Sequence, residues 1–138
     1  MAKTIATVIG IGFILAGLLG FIAPGAMGFH LSIAHTIVHL VSGALALYFG
    51  LKGTLAQARL FCIVFGAVYG LLGVVGFIAG GRGTPSGGHP GPADDHLFKL
   101  LPGVLELGTS DHVLHILLGL IFLVGGLMTK ARLERAAD

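Results

Sequence analysis

The chain has 138 residues, 55% of them hydrophobic and only 10% charged, and a mean hydropathy of +0.99. Soluble domains carry about 25% charged residues, so this composition excludes an ordinary water-soluble fold and points to the lipid bilayer as solvent. A net charge of +2 gives no footing for nucleic acid, and a single cysteine, Cys62, excludes an internal disulfide.

Ile5 to Ala23 is the first apolar run and contains no charge. At 1.5 Å per residue it matches a hydrocarbon core of about 30 Å. A lysine followed by an apolar stretch also outlines a secretory signal; the length of this run and its internal twin favour a span. Pro24 to Gly28 predicts a turn. His35 to Leu51 is the second run, and Lys52 to Arg59 is a short polar link. Leu60 to Ala79 is the third run. Gly80 to Pro92, rich in Gly, Pro and Ser, predicts a loop. Ala93 to Leu107 mixes charged and apolar residues and is broken by Pro102-Gly103, which suggests a short interfacial helix before the proline. Ser110 or Asp111 is the expected N-cap of the fourth run, His112 to Met128. Thr129 to Asp138 is a charged tail.

The chain repeats itself. Gly17, Gly20 and Phe21-Ile22-Ala23 recur as Gly73, Gly76 and Phe77-Ile78-Ala79, an offset of 56 (73 − 17). His39, Gly43 and Gly50 recur as His115, Gly119 and Gly126, an offset of 76 (115 − 39). The difference of 20 residues falls in the Gly/Pro-rich loop, where insertion is tolerated. The expected fold is therefore an all-α integral membrane protein. It is a bundle of four transmembrane helices made of two parallel helical hairpins, residues 5–51 and 60–128. A link at 52–59 joins them, an outer loop spans 80–110, and the tail is 129–138. The whole forms one membrane domain.

Lys3, Lys52, Arg59, Lys130, Arg132 and Arg135 share one side of this arrangement, against Arg82 and Lys99 on the other. The positive-inside rule then places both termini, the link and the tail in the cytoplasm. Small residues at Gly12, Ala16 and Gly20, and at Gly66, Gly70 and Gly73, would let helices pack closely. The same Gly-rich faces could serve a homo-oligomer or a larger membrane complex; apart from that, the partner is the lipid bilayer.

Both His-bearing runs open alike, with an ionisable residue, a His four positions on and a Gly four further: His35, His39, Gly43 and Asp111, His115, Gly119. This spacing puts each set on one helix face, the face that also carries the small residues. Ionisable groups inside a membrane are costly and suggest a function. Three readings stand. His35, His39, His112 and His115 could hold a metal ion, Zn²⁺ or Cu before Ni or Fe, with Asp111 as ligand or as partner fixing a ring tautomer. His39 and His115 could ligate a haem from opposite helices. Or the histidines are interhelical hydrogen-bonding groups with no ligand. His112 is the weakest ligand candidate, because Thr36 holds its place in the first copy. His30, His89 and His96 read as loop residues.

No catalytic constellation is visible. There is no phosphate-binding loop, and His-x-x-x-His lacks the Glu that a zinc protease carries after its first His, here Thr36. The polar residues gather near the outer end, so the inner half reads as sealed against transport. The expectation is a binding or accessory protein and not an enzyme.

The pattern of Gly20-Phe21, His35/His39/Gly43, Gly76-Phe77 and Asp111/His115/Gly119 resembles a bacterial family of small four-span membrane proteins catalogued only as a domain of unknown function. The resemblance covers most of residues 5–128 apart from the loop insertion. It implies the four-span fold and a bacterial inner membrane, and it implies no activity. In that family the position of His35 is often an amide residue, which implies His39 and His115 as the shared pair.

Overall fold

The computed structural model describes residues 1–86 and 91–130. His89, Arg132 and Arg135 lie outside these residues. Helix α1 is Ala2–Ile22, α2 is Ile33–Leu47, α3 is Leu55–Ala79 and α4 is Thr109–Met128. A further turn, Tyr48–Lys52, extends α2 with wider π-type winding. All four helices are long and apolar enough to cross a membrane. Between 28% and 39% of each span is buried within the protein. The remainder exposes side chains such as Val8, Leu15, Val68, Leu71, Leu117 and Leu120. An apolar exterior of this extent needs an apolar solvent.

Local chemistry sets the helix ends. Ser32 Oγ accepts from the His35 amide at 3.2 Å and caps α2. Thr54 and Gln57 form a reciprocal capping box at α3. That box starts α3 at Leu55, so most of the expected polar link is helical. Arg59, on this first turn and a half, donates to the carbonyl of Gly126 near the end of α4 at 3.1 Å.

The helices pair as α1 with α2 and α3 with α4. The backbones meet at glycines. A side chain at Gly10 would meet Leu47, and one at Gly66 would meet Leu123. Gly43 lies against the carbonyl of Gly10, and Gly119 against that of Gly66. Gly20 is filled by Thr36, and Gly76 by the ring of His112. Close approach of this kind replaces the hydrophobic drive that lipid does not supply. The middle of the bundle is aromatic: Phe13, Phe61, Phe65, Tyr69 and Phe122 have centroids 4.1–6.4 Å apart.

The expected interfacial helix does not form, and the protein is mostly but not wholly helical. Strands β1 (Gly81–Gly83), β2 (Asp94–Leu101) and β3 (Leu105–Leu107) build a small antiparallel sheet in the order β1-β2-β3. Pro102-Gly103, read as a helix breaker, is the β2–β3 hairpin turn. Gly103 has φ +75°, and the Val104 amide donates to the Leu101 carbonyl at 2.9 Å. Proline followed by a positive-φ glycine suits such a turn.

The sheet caps one end of the bundle. Leu97 and Leu107 are buried beneath it. Ser32 Oγ donates to the Val104 carbonyl at 2.7 Å, and Thr109 donates to the Asp94 carboxylate through its hydroxyl at 2.7 Å and its amide at 3.0 Å. Helix α4 starts at Thr109, ahead of the expected caps. Asp111 sits in its first turn and accepts from the Gly108 amide at 2.8 Å. A carboxylate there offsets the exposed N–H groups and the helix dipole.

Candidate functional site

Helix α2 carries His35, Thr36, His39, Ser42, Gly43 and Ala46 on its buried face. Helix α4 presents Asp111, His112, His115, Gly119 and Phe122. Spacings of three and four residues keep each set on one side. The two faces bring His35, His39 and His115 together under the cap. Each offers one ring nitrogen, and the three nitrogens lie within 4.8 Å of one another. All three side chains are buried, at 2%, 6% and 3% exposure.

Fixed neighbours orient these rings. Nδ1 of His35 lies 3.0 Å from the His30 carbonyl. A carbonyl only accepts, so this nitrogen carries the proton and Nε2 keeps a free lone pair. The His39 ring stacks on Phe13 at 5.6 Å and lies 4.5 Å from His35; the His115 ring meets Tyr69 edge-on at 5.3 Å. Nδ1 of His39 and Nδ1 of His115 are buried with no hydrogen-bond partner among the described residues. Buried unpaired polar atoms are uncommon in folded proteins and cost about 1–3 kcal/mol each.

The other candidate residues take other places. His112 turns toward α3. Its Nε2 donates to the His96 carbonyl at 2.7 Å, and its ring sits over Gly76 and against Phe77. These contacts hold the cap on the bundle. Asp111 accepts from Gly108 and, at 3.5 Å, from the His30 amide. It is a neighbour of the trio, and its carboxylate is not one of the three clustered groups. His30 faces Asp94 at 3.8 Å, and the ring of His96 packs on Phe77.

Two acidic groups of the cap, outside the helical spans, are perturbed. Burial pushes the Glu106 carboxyl up. Hydrogen bonds from the Ser86 hydroxyl and from the Gly103 and Ser86 amides, with Lys99 nearby, outweigh burial and hold its pKa at about 2. Burial likewise opposes ionisation of Asp94, but the donors of Thr109 and His96, with His30, hold its pKa below the usual value.

Sequence reasoning did not find the cavity beside the trio. It measures about 200 Å³ and lies between α2 and α3. Val38, Ser42, Phe65, Val68, Tyr69 and Leu72 form its sides, and Leu105 and Leu107 of β3 close it at the cap. The three histidines line one end. Tyr69 donates to Ser42 Oγ at 3.2 Å on its wall.

A family model described as a domain of unknown function (DUF4383) matches residues 3–128. The chain belongs to this family. The match takes in all four helices and the cap, so the His trio is part of the DUF4383 domain. No curated protein and no solved structure matches the chain.

Proposed function

We propose that this protein is an integral membrane protein whose buried trio, His35, His39 and His115, binds a transition-metal ion, Zn²⁺ or Cu. The observation that carries the reading is the convergence of three buried imidazole nitrogens within 4.8 Å. Two of the rings keep unpartnered Nδ1 atoms among the described residues, and the third has its tautomer fixed by a backbone carbonyl. That outer contact is the usual support of a metal-ligating histidine. Bonds of about 2.0–2.1 Å need nitrogens about 3.3 Å apart, so binding draws the rings together by up to about 1.5 Å. Three imidazoles suit Zn²⁺ or Cu and leave a fourth position open. An ion fits better than a haem: Phe13 and Tyr69 cover the His39 and His115 rings, and the cavity lies to one side of them.

The same reading holds that the protein is a duplicated hairpin with both termini in the cytoplasm. Contacts repeating at the two offsets support it. Gly10–Leu47 becomes Gly66–Leu123, and Gly20–Thr36 becomes Gly76–His112. The cap and the trio then face the outer side.

Elemental analysis of protein purified without chelator tests the metal reading, followed by titration with Zn²⁺, Cu⁺ and Cu²⁺. One ion per chain, lost in His39→Ala and His115→Ala alike, is the expected result. Protein that carries no stoichiometric ion and takes none up refutes it.

A further inference from the structure

The cavity beside the trio opens sideways. Strand β3 roofs it through Leu105 and Leu107, which separates it from water at the cap. Its lips are Val38 on α2 and Val68 on α3, exposed by 43% and 55% on the apolar flank of the bundle. The seam between these two helices is loose. Helix α1 packs against α4, with Gly125 close to Ile5, whereas at the corresponding level of the α2–α3 seam two large rings, Phe49 and Phe61, stack at 5.1 Å. A second cavity of about 210 Å³ continues down the seam, lined by Phe49, Gln57, Leu60, Phe61 and Val64. The two cavities share Phe65 as a wall.

We propose that this groove seats a lipid-soluble phenol or quinol, its ring in the upper cavity and its apolar tail in the lower one. The inference rests on the metal reading: the ring oxygen takes the ion's open fourth position. Five observations select the ligand. A cavity roofed at the cap and lipped by exposed valines lies open to a molecule dissolved in the bilayer. An apolar cavity of about 150 Å³ accepts benzene, so about 200 Å³ accommodates one substituted ring. Phe65 and Tyr69 offer faces and edges for that ring. The polar groups of the cavity, the trio at one end and the Ser42–Tyr69 pair on the wall, are few and convergent, as in small-molecule sites. Apart from Gln57, the lower cavity has the apolar lining a hydrocarbon tail needs.

Calorimetric titration of the metal-loaded protein in nanodiscs with decylhydroquinone under anaerobic conditions tests this. Empty nanodiscs correct for partition into lipid. Expected are saturable binding at one probe per chain and affinity weaker by about tenfold or more after the ion is chelated, the size of one lost polar interaction. Val68→Trp and, separately, Val38→Phe close the mouth. Each is expected to keep the full metal content and lose probe binding by at least about tenfold. Stoichiometric metal with no saturable probe binding overturns the inference and leaves the metal reading intact. Probe binding indifferent to chelation or to both mouth variants also overturns it. Protein that binds no metal overturns both.

Discussion

The carbonyl of His30 holds Nδ1–H of His35 at 3.0 Å, and so decides which nitrogen of His35 can meet a metal. Because the acceptor is backbone, the side chain of His30 is not needed for that contact. His30→Ala is therefore expected to keep the ion, although it removes the approach to Asp94. His112→Ala is also expected to keep it, because the His112 ring turns toward α3 and is tied to the His96 carbonyl. His35→Ala, His39→Ala and His115→Ala each remove a proposed ligand. Their affinity should fall by about 100-fold or more, beyond the range for losing an outer partner. Competition titration with a chromophoric chelator measures all five. A protein in which His112→Ala costs as much as His39→Ala contradicts the trio.

Metal binding should also register as stability. An ion that binds only the folded protein stabilises it by about 2.7 kcal/mol when free ion is 100 times the dissociation constant. Thermal unfolding in detergent is expected to shift upward by several degrees on loading and back on chelation. His115→Ala should unfold at the same temperature with and without the ion. A shift that persists in the variant would place the ion elsewhere.

Glu106 makes the cap sensitive to acid. Its side chain is 5% exposed and is surrounded by donors, with its pKa held at about 2 against an ordinary value of 4.5. A depressed carboxylate contributes stability that is fully present above its unfolded value and is lost as pH falls through its folded one. Protection of the β2 and β3 amides against hydrogen exchange, corrected for intrinsic rate, should therefore fall between pH about 4.5 and pH about 2. Glu106→Gln should lower protection at neutral pH and flatten that dependence. An unchanged profile in the variant assigns the acid response to another group.

Periodicity read the helices well because a lipid-facing span leaves a long uninterrupted apolar run. It also placed His35, His39 and His115 on the right faces, because i, i+4 spacing maps directly onto a helix side. The relative rotation of α2 and α4, which admits His35 and excludes His112, depends on which atoms fill Gly20 and Gly76. Thr36 fills one and His112 the other. The cap was misread for a local reason. Asp94 to Leu101 is too mixed for clear alternation, and Pro102-Gly103 signals a helix break as readily as a hairpin turn. Leu100, Leu101 and Val104 remain exposed on the sheet, so no burial pattern marks the strands. The cavity could not be read at all, because it is a gap between α2 and α3 and not a property of either.

The glycines offer a graded test of the helix contacts. A Cβ at Gly76 would fall within the His112 ring, which is itself fixed to the His96 carbonyl, so neither side can yield easily. Gly76→Ala is expected to destabilise by about 1–3 kcal/mol, the cost of overpacking, and to loosen the cap. A Cβ at Gly20 would meet the Thr36 hydroxyl, which has no hydrogen-bond partner among the described residues and can turn aside. Gly20→Ala should cost less. A methyl group at Gly12 would meet nothing within 4 Å among the described residues. Gly12→Ala should be neutral or stabilise by about 0.5–1 kcal/mol through helix propensity alone. Thermal unfolding in one detergent ranks the three. The metal content of Gly76→Ala should stay at wild-type level, because the ring it displaces is outside the proposed trio. Equal effects at all three positions would mean that these glycines serve general helix flexibility and not the contacts to Thr36 and His112.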